Sequence, residues 1–175
     1  TLAVVALMLG KRIGFPKTLM LPHSPALTVA GAGLLWVGWF GFNGGSALAA
    51  NDAAASAIIN THVATSTAAL VWLLVERIKV GKSTAVGFAT GAVAGLATIT
   101  PAAGTVGPGG AAIIGLLAGL VCFWFVGLIK GMLKIDDSLD VFAVHGIGGM
   151  MGSLLLAIFA SESLGGIGYA DDAGM

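Results

Sequence analysis

The sequence predicts an all-α fold: a polytopic transmembrane helix bundle with about five full spans plus a half-span, residues 1–175 being part of a single transmembrane domain. Three observations carry that expectation. Hydrophobic residues make up 57% of the chain and charged residues 9%, where a soluble domain holds about 25% charge. Several apolar runs reach the ~20 residues that a bilayer crossing takes. All eight Lys and Arg residues fall in alternate loops, at 11–25, 76–82 and 130–137, and the other three loops hold none. A miscounted span would break that alternation. The positive-inside rule then puts the basic loops in the cytoplasm.

The elements follow in order. TLAVVALMLG is too short to cross a bilayer and lacks the basic start of a signal peptide, so it reads as the second half of a span ending at Gly10. A basic loop runs to Pro25, kept irregular by Pro16, Pro22 and Pro25, with His23 as a solvated loop residue. Spans are expected at about 26–48, 53–75, 83–100, 110–130 and 139–160. A neutral turn near Asn51, the basic loop 76–82, the Pro/Gly loop TPAAGTVGPGG and the charged loop 130–137 separate them. SESLGGIGYADDAGM reads as a further loop. With the basic loops inside, a cysteine at Gly107 should be labelled from outside by an impermeant reagent, and one at Gly81 should not.

Net charge is zero, which leaves no nucleic-acid footprint. Cys122 has no second cysteine to pair with. No nucleophile–base set, metal-ligand cluster or phosphate loop is visible, so no enzyme, cofactor or metal site is expected.

Polar and aromatic residues inside the spans are the informative ones. In the first full span, Leu35, Trp39, Phe42 and Ser46 fall at i, i+4, i+7 and i+11, within a sector of roughly 60° on one helical face. Ser46 is the hydroxyl at one end, and the apolar stripe continues from it for ~16 Å. That pattern fits a permeation surface, and it fits ordinary helix-packing core. Gly87, Gly91, Gly95, Gly115 and Gly119 form GxxxG steps that let helix backbones approach closely. His62 and His145 both lie within spans, where a polar side chain needs a reason. His62 has Asn60, Thr61, Thr65, Ser66 and Thr67 as neighbours, so a buried hydrogen bond to an adjacent span is expected for it. His145 lies ~12 Å along its helix from Asp137, with Val141, Gly148, Gly149 and Gly152 on its face. The glycines leave room for another backbone or for a small guest.

At these residues the chain resembles a known family. GWFGFNGGSALAAN and DVFAVHGIGGMMG resemble two signature segments of the ammonium transporters (the Amt proteins and their Rhesus relatives). LMLGKR resembles the tail of another signature through Gly10 and Arg12, and ITPAAGTVGPGGAAIIG matches the family's run from Ile99 to Gly115. The resemblance covers essentially the whole chain. It implies a partial ammonium-transporter fold, beginning partway through the fifth span and stopping before the last, in a protein that assembles as a homotrimer with one pore per subunit.

The resemblance also assigns roles. Ser46 matches the hydroxyl of the outer ammonium-recruitment site and Phe42 one ring of the gating phenylalanine pair. Trp39 and Leu35 match pore-wall residues, His145 the second of the paired central histidines, and Val141 an apolar residue of the inner half. The first histidine, the recruitment tryptophan, the other gate phenylalanine and an acidic residue lie upstream in the family, so this stretch is expected to carry half a pore and to transport nothing alone. The implied function is passage of ammonium or ammonia across the cell membrane, with a PII-type signal protein as a possible cytoplasmic partner. A Rhesus-like channel for ammonia or carbon dioxide and an ammonium sensor are the alternatives.

The chemistry fits these residue types. An aromatic face offers a cation ~0.5–2 kcal/mol of cation–π attraction, and a hydroxyl offers an acceptor. A bare cation in an apolar lane would face a desolvation cost of order tens of kcal/mol, most of which vanishes when ammonium loses a proton. Imidazole can donate from one nitrogen and accept at the other, which suits it to the polar stepping point.

Overall fold

The computed structural model describes residues 2–18 and 20–168. Thr1, Leu19 and the tail from Tyr169, read above as part of a loop, lie outside the described residues. Among the described residues six α-helices follow one another: α1 (Leu2–Leu9), α2 (Pro25–Gly45), α3 (Asp52–Val80), α4 (Ala85–Ile99), α5 (Pro108–Gly127) and α6 (Gly148–Phe159). π-helical turns extend two of them, Leu128–Met132 after α5 and Phe142–Ile147 before α6.

The helix ends have local causes. Pro25 sits in the first turn of α2, where its fixed φ suits a helix start, and Ser24 caps that end by accepting from Leu27 N at 3.3 Å. Asn51 and Thr84 cap α3 and α4 in the same way, accepting from Ala54 N and Gly87 N. Helix α3 does not stop at residue 75, as the charge pattern suggested. It runs on to Val80, because Arg77 and Lys79 lie in its last turn, where the helix dipole favours cations. Gly81, at φ +86°, closes it in the left-handed conformation. Glu76 then bonds back to Thr84 N (2.7 Å) and Thr84 Oγ1 (2.9 Å), fixing the turn into α4.

Among the described residues, four helical stretches are long and apolar enough to cross a membrane: Pro25–Gly45, Asp52–Val80, Pro108–Met132 and Phe142–Phe159. Helix α4, expected to be a full span, has 15 residues, or ~22 Å of rise. Its end lies just before Pro101, which has no N–H to continue the ladder. The chain beyond folds inward, with Ala102, Ala103 and Val106 buried. Asn60 of α3 pins this segment, donating to Ala103 O (2.9 Å) and Val106 O (2.6 Å).

Helix α3 is the centre of the bundle and packs chiefly on α4 and α5. Both glycine rows face it. A Cβ on Gly95 would stand 2.7 Å from Thr65 Cα, and one on Gly119 2.9 Å from Ala68 O. A Cβ on Gly115 would collide with Ala64 O. Small residues on three helices therefore bring backbones into contact, as close packing in lipid requires. Larger side chains fill the layers between them: Ile99, Val106 and Ile114 in one cluster, Trp72, Cys122 and Val144 in another.

The loops gather at two ends. Arg12 joins the first basic loop to the third through a forked pair with Asp136, its Nη2 lying 2.6 Å from Oδ1 and its Nε 2.9 Å from Oδ2. At the other end Ile167 N donates to Thr105 O at 3.0 Å.

Candidate functional site

Helix α2 lies at the edge of the bundle, and of its residues only Ala32, Asn43 and Gly44 are buried. Leu35 is 50% exposed and Phe42 62% exposed, so the aromatic stripe is not interior packing among the described residues. With Gly31, Leu34, Gly38 and Trp39 these two side chains line an open, almost wholly apolar groove of about 480 Å³. Trp39 is the junction. Its ring meets Phe42 edge to face at 6.0 Å between centroids and lies nearly parallel to His145, at 6.4 Å and 22°. Its Nε1–H donates to Thr100 Oγ1 at 2.7 Å. Two stripes from distant stretches of sequence thus meet at Trp39 and His145.

Ser46 caps the end of α2 and is exposed. Its hydroxyl donates to Phe42 O at 2.7 Å, which leaves both lone pairs of its oxygen to accept from a cationic N–H. Beside it is a more polar groove of about 320 Å³, lined in part by Phe42, Asn43, Thr100 and Thr105. Asn43 is fixed there, donating to Thr61 Oγ1 at 2.9 Å.

His145 lies in the π-helical turn Phe142–Ile147. Asp137 starts that segment by accepting from Val141 N (3.0 Å) and Phe142 N (2.7 Å). Asp140, at φ +57°, pairs with Lys130 at 2.6 Å. Burial pushes the Asp140 carboxyl above its ordinary range in spite of that lysine. The Arg12 guanidinium holds Asp136 below it, through the hydrogen bond first.

Val141 and His145, four residues apart on the same segment, line two adjacent grooves. His145 lines one of about 290 Å³ with Leu35, Thr90, Val93 and Val144. Val141 lines another of about 390 Å³ with Val5, Leu9, Arg12 and Asp136. Leu139 borders both.

His62 departs from expectation. It is exposed, and its ring lies against Trp36 (5.4 Å) and Phe40 (5.9 Å) on another face of α2 from the stripe. The buried inter-segment bonds of α3 come instead from Asn60 and Thr61, which sit on its packed face. His62 points away from that face, so it does not join them.

Thr100, Asn43 and Leu139 also border the site and were not singled out from the sequence. Thr100 left a signal, since a hydroxyl at the end of a helix can bond back to the carbonyl four residues earlier, here Leu96 O at 2.7 Å.

The family model described as Ammonium Transporter Family matches residues 2–174. The chain belongs to the ammonium transporter family. It is 50% identical over 163 residues to an ammonium transporter of Aquifex aeolicus, covering 93% of this chain and 38% of that protein. It is 51% identical over 162 residues to the ammonium transporter Amt1 of Archaeoglobus fulgidus, covering 93% and 41%. Among solved structures it is similar to Mep2 of Saccharomyces cerevisiae, with a TM-score of 0.84, 42% identity and coverage of 92% and 37%. It is also similar to a sensor Amt protein, with a TM-score of 0.86, 36% identity and coverage of 93% and 41%. The chain therefore spans about two fifths of the length of the relatives it matches. With its family and its four spanning helices, it is part of a multi-pass membrane protein.

Proposed function

We propose that the whole protein carries ammonium or ammonia across the cell membrane through a narrow, largely apolar lane, that Ser46, Phe42, Trp39, Leu35 and His145 supply one wall of it, and that Val141, in the adjoining groove past Leu139, continues it into the inner half. The observation that carries this reading is the stacking of Trp39 on His145, which joins the stripe of α2 to the imidazole of the π-helical turn. In this reading Ser46 accepts a hydrogen bond from ammonium at the outer end, and the aromatic rings stabilise the cation by cation–π attraction. Deprotonation lets neutral ammonia pass Leu35, while His145 offers a donor and an acceptor. The residues on this wall bind and desolvate the substrate, a neutral imidazole nitrogen of His145 accepts the proton that ammonium gives up, and no other bond of the substrate changes. Assembly as a homotrimer and contact with a PII-type signal protein on the cytoplasmic face are part of the same proposal.

Likeness to the sensor Amt protein favours a second reading, in which ammonium in this lane is a signal. Expression of the whole protein in cells stripped of their own ammonium transport tests both. Growth on low ammonium and saturable uptake support transport. Ammonium binding without uptake supports the sensor.

A further inference from the structure

We propose that Thr100 is a positioning residue, whose hydroxyl sets the plane of Trp39 against His145; the proposal rests on the reading of those two residues as lane wall. The Thr100 hydroxyl is committed in both directions. It accepts from Trp39 Nε1–H at 2.7 Å and donates to Leu96 O at 2.7 Å, so its rotor has one setting. Thr100 is itself firmly placed. Pro101 follows it, and Asn60 pins the next turns by donating to Ala103 O and Val106 O.

Among the described residues, packing alone does not fix Trp39. Helix α2 is largely exposed, and the open groove of about 480 Å³ lies beside the ring. Rotating the indole about its side-chain bonds would break the bond to Thr100. The same rotation would tilt the ring out of its 22° alignment with His145 and into the groove. Nor is the bond there because every indole must be satisfied. Trp36, one turn earlier, keeps a buried Nε1 without a partner among the described residues. What the Thr100 bond secures is the orientation of one ring at the meeting point of α2, α4 and the π-helical turn.

The test is made in the whole protein, with Thr100→Val, which keeps the shape and removes the hydroxyl, and Thr100→Ser, which keeps the hydroxyl. Uptake is normalised to the amount of protein in the membrane. Thr100→Val should lower the maximal rate of ammonium uptake about five-fold, the scale of one net hydrogen bond, with the half-saturating concentration unchanged. Thr100→Ser should restore the rate. A structure of the Thr100→Val protein should show Trp39 turned from His145. A full rate in Thr100→Val, an equal defect in Thr100→Ser, or an unmoved Trp39 would each overturn the proposal. If the unmutated protein moves no ammonium, the transport reading fails, and the orientation of Trp39 in Thr100→Val still judges the positioning claim.

Discussion

Trp39 is held from three sides: by the edge of Phe42, the face of His145 and the hydroxyl of Thr100. Ser46, by contrast, touches its own helix through Phe42 O and stands free towards solvent. The two therefore have separable effects. Replacing Ser46 by Ala in the whole protein should raise the half-saturating ammonium concentration about five-fold, one hydrogen bond's worth, with little change in maximal rate. An uptake titration reads both values. Arg12 and Asp136 make a different kind of prediction. Because Arg12 lowers the Asp136 value in the folded state, the pair stabilises the fold above the ordinary carboxylate range. That contribution is lost as pH falls through the depressed value. Arg12→Gln should thus lower the melting temperature at neutral pH, and the gap to the unmutated protein should close in acid. A gap that stays constant with pH would contradict the pairing. Asp140 works in the opposite sense, since burial raises its value and acid relieves the cost of its charge.

Helix α3 owes its place to small residues, Ala64 and Ala68 meeting Gly95, Gly115 and Gly119 of its two neighbours. Gly115→Val would push against Ala64 backbone on a helix with nowhere to move, and should destabilise by about 1–3 kcal/mol. Gly149→Val, with open space beside it, should not. Thermal unfolding of the two variants in detergent distinguishes them. This packing was legible in the GxxxG spacing, as was the α2 stripe, because both depend on the α-helical period. The division of Val141 and His145 between two grooves was not, because it depends on which neighbours stand against each side chain, Val5 and Arg12 for one and Leu35 and Thr90 for the other. His62 was misread because nearby hydroxyls say nothing about which side of α3 an imidazole takes. The end of α4 was set by Pro101, but the inward fold of the loop beyond depends on Asn60, 43 and 46 residues away in sequence from the carbonyls it holds and invisible to local pattern.

Over the whole molecule, charge and topology make one statement. The segments rich in Lys and Arg gather at one end, tied by Arg12 and Asp136, and should lie in the cytoplasm. Gly107 is a poor site for a cysteine reporter, being buried against Gly165. Gly104 in the same loop is exposed with open space around it, and Lys82 is exposed at the other end. Cysteine at 104 should be labelled from outside by an impermeant reagent, and cysteine at 82 should not; the reverse would invert the orientation. The central claim concerns the lane through which Trp39 and His145 meet. Its most direct test is ion selectivity of the whole protein carrying His145→Ala, measured as ammonium uptake and current in competition with potassium. The account predicts that ammonium uptake collapses or that discrimination against potassium is lost. Uptake of ammonium at the original rate with unchanged selectivity would contradict it.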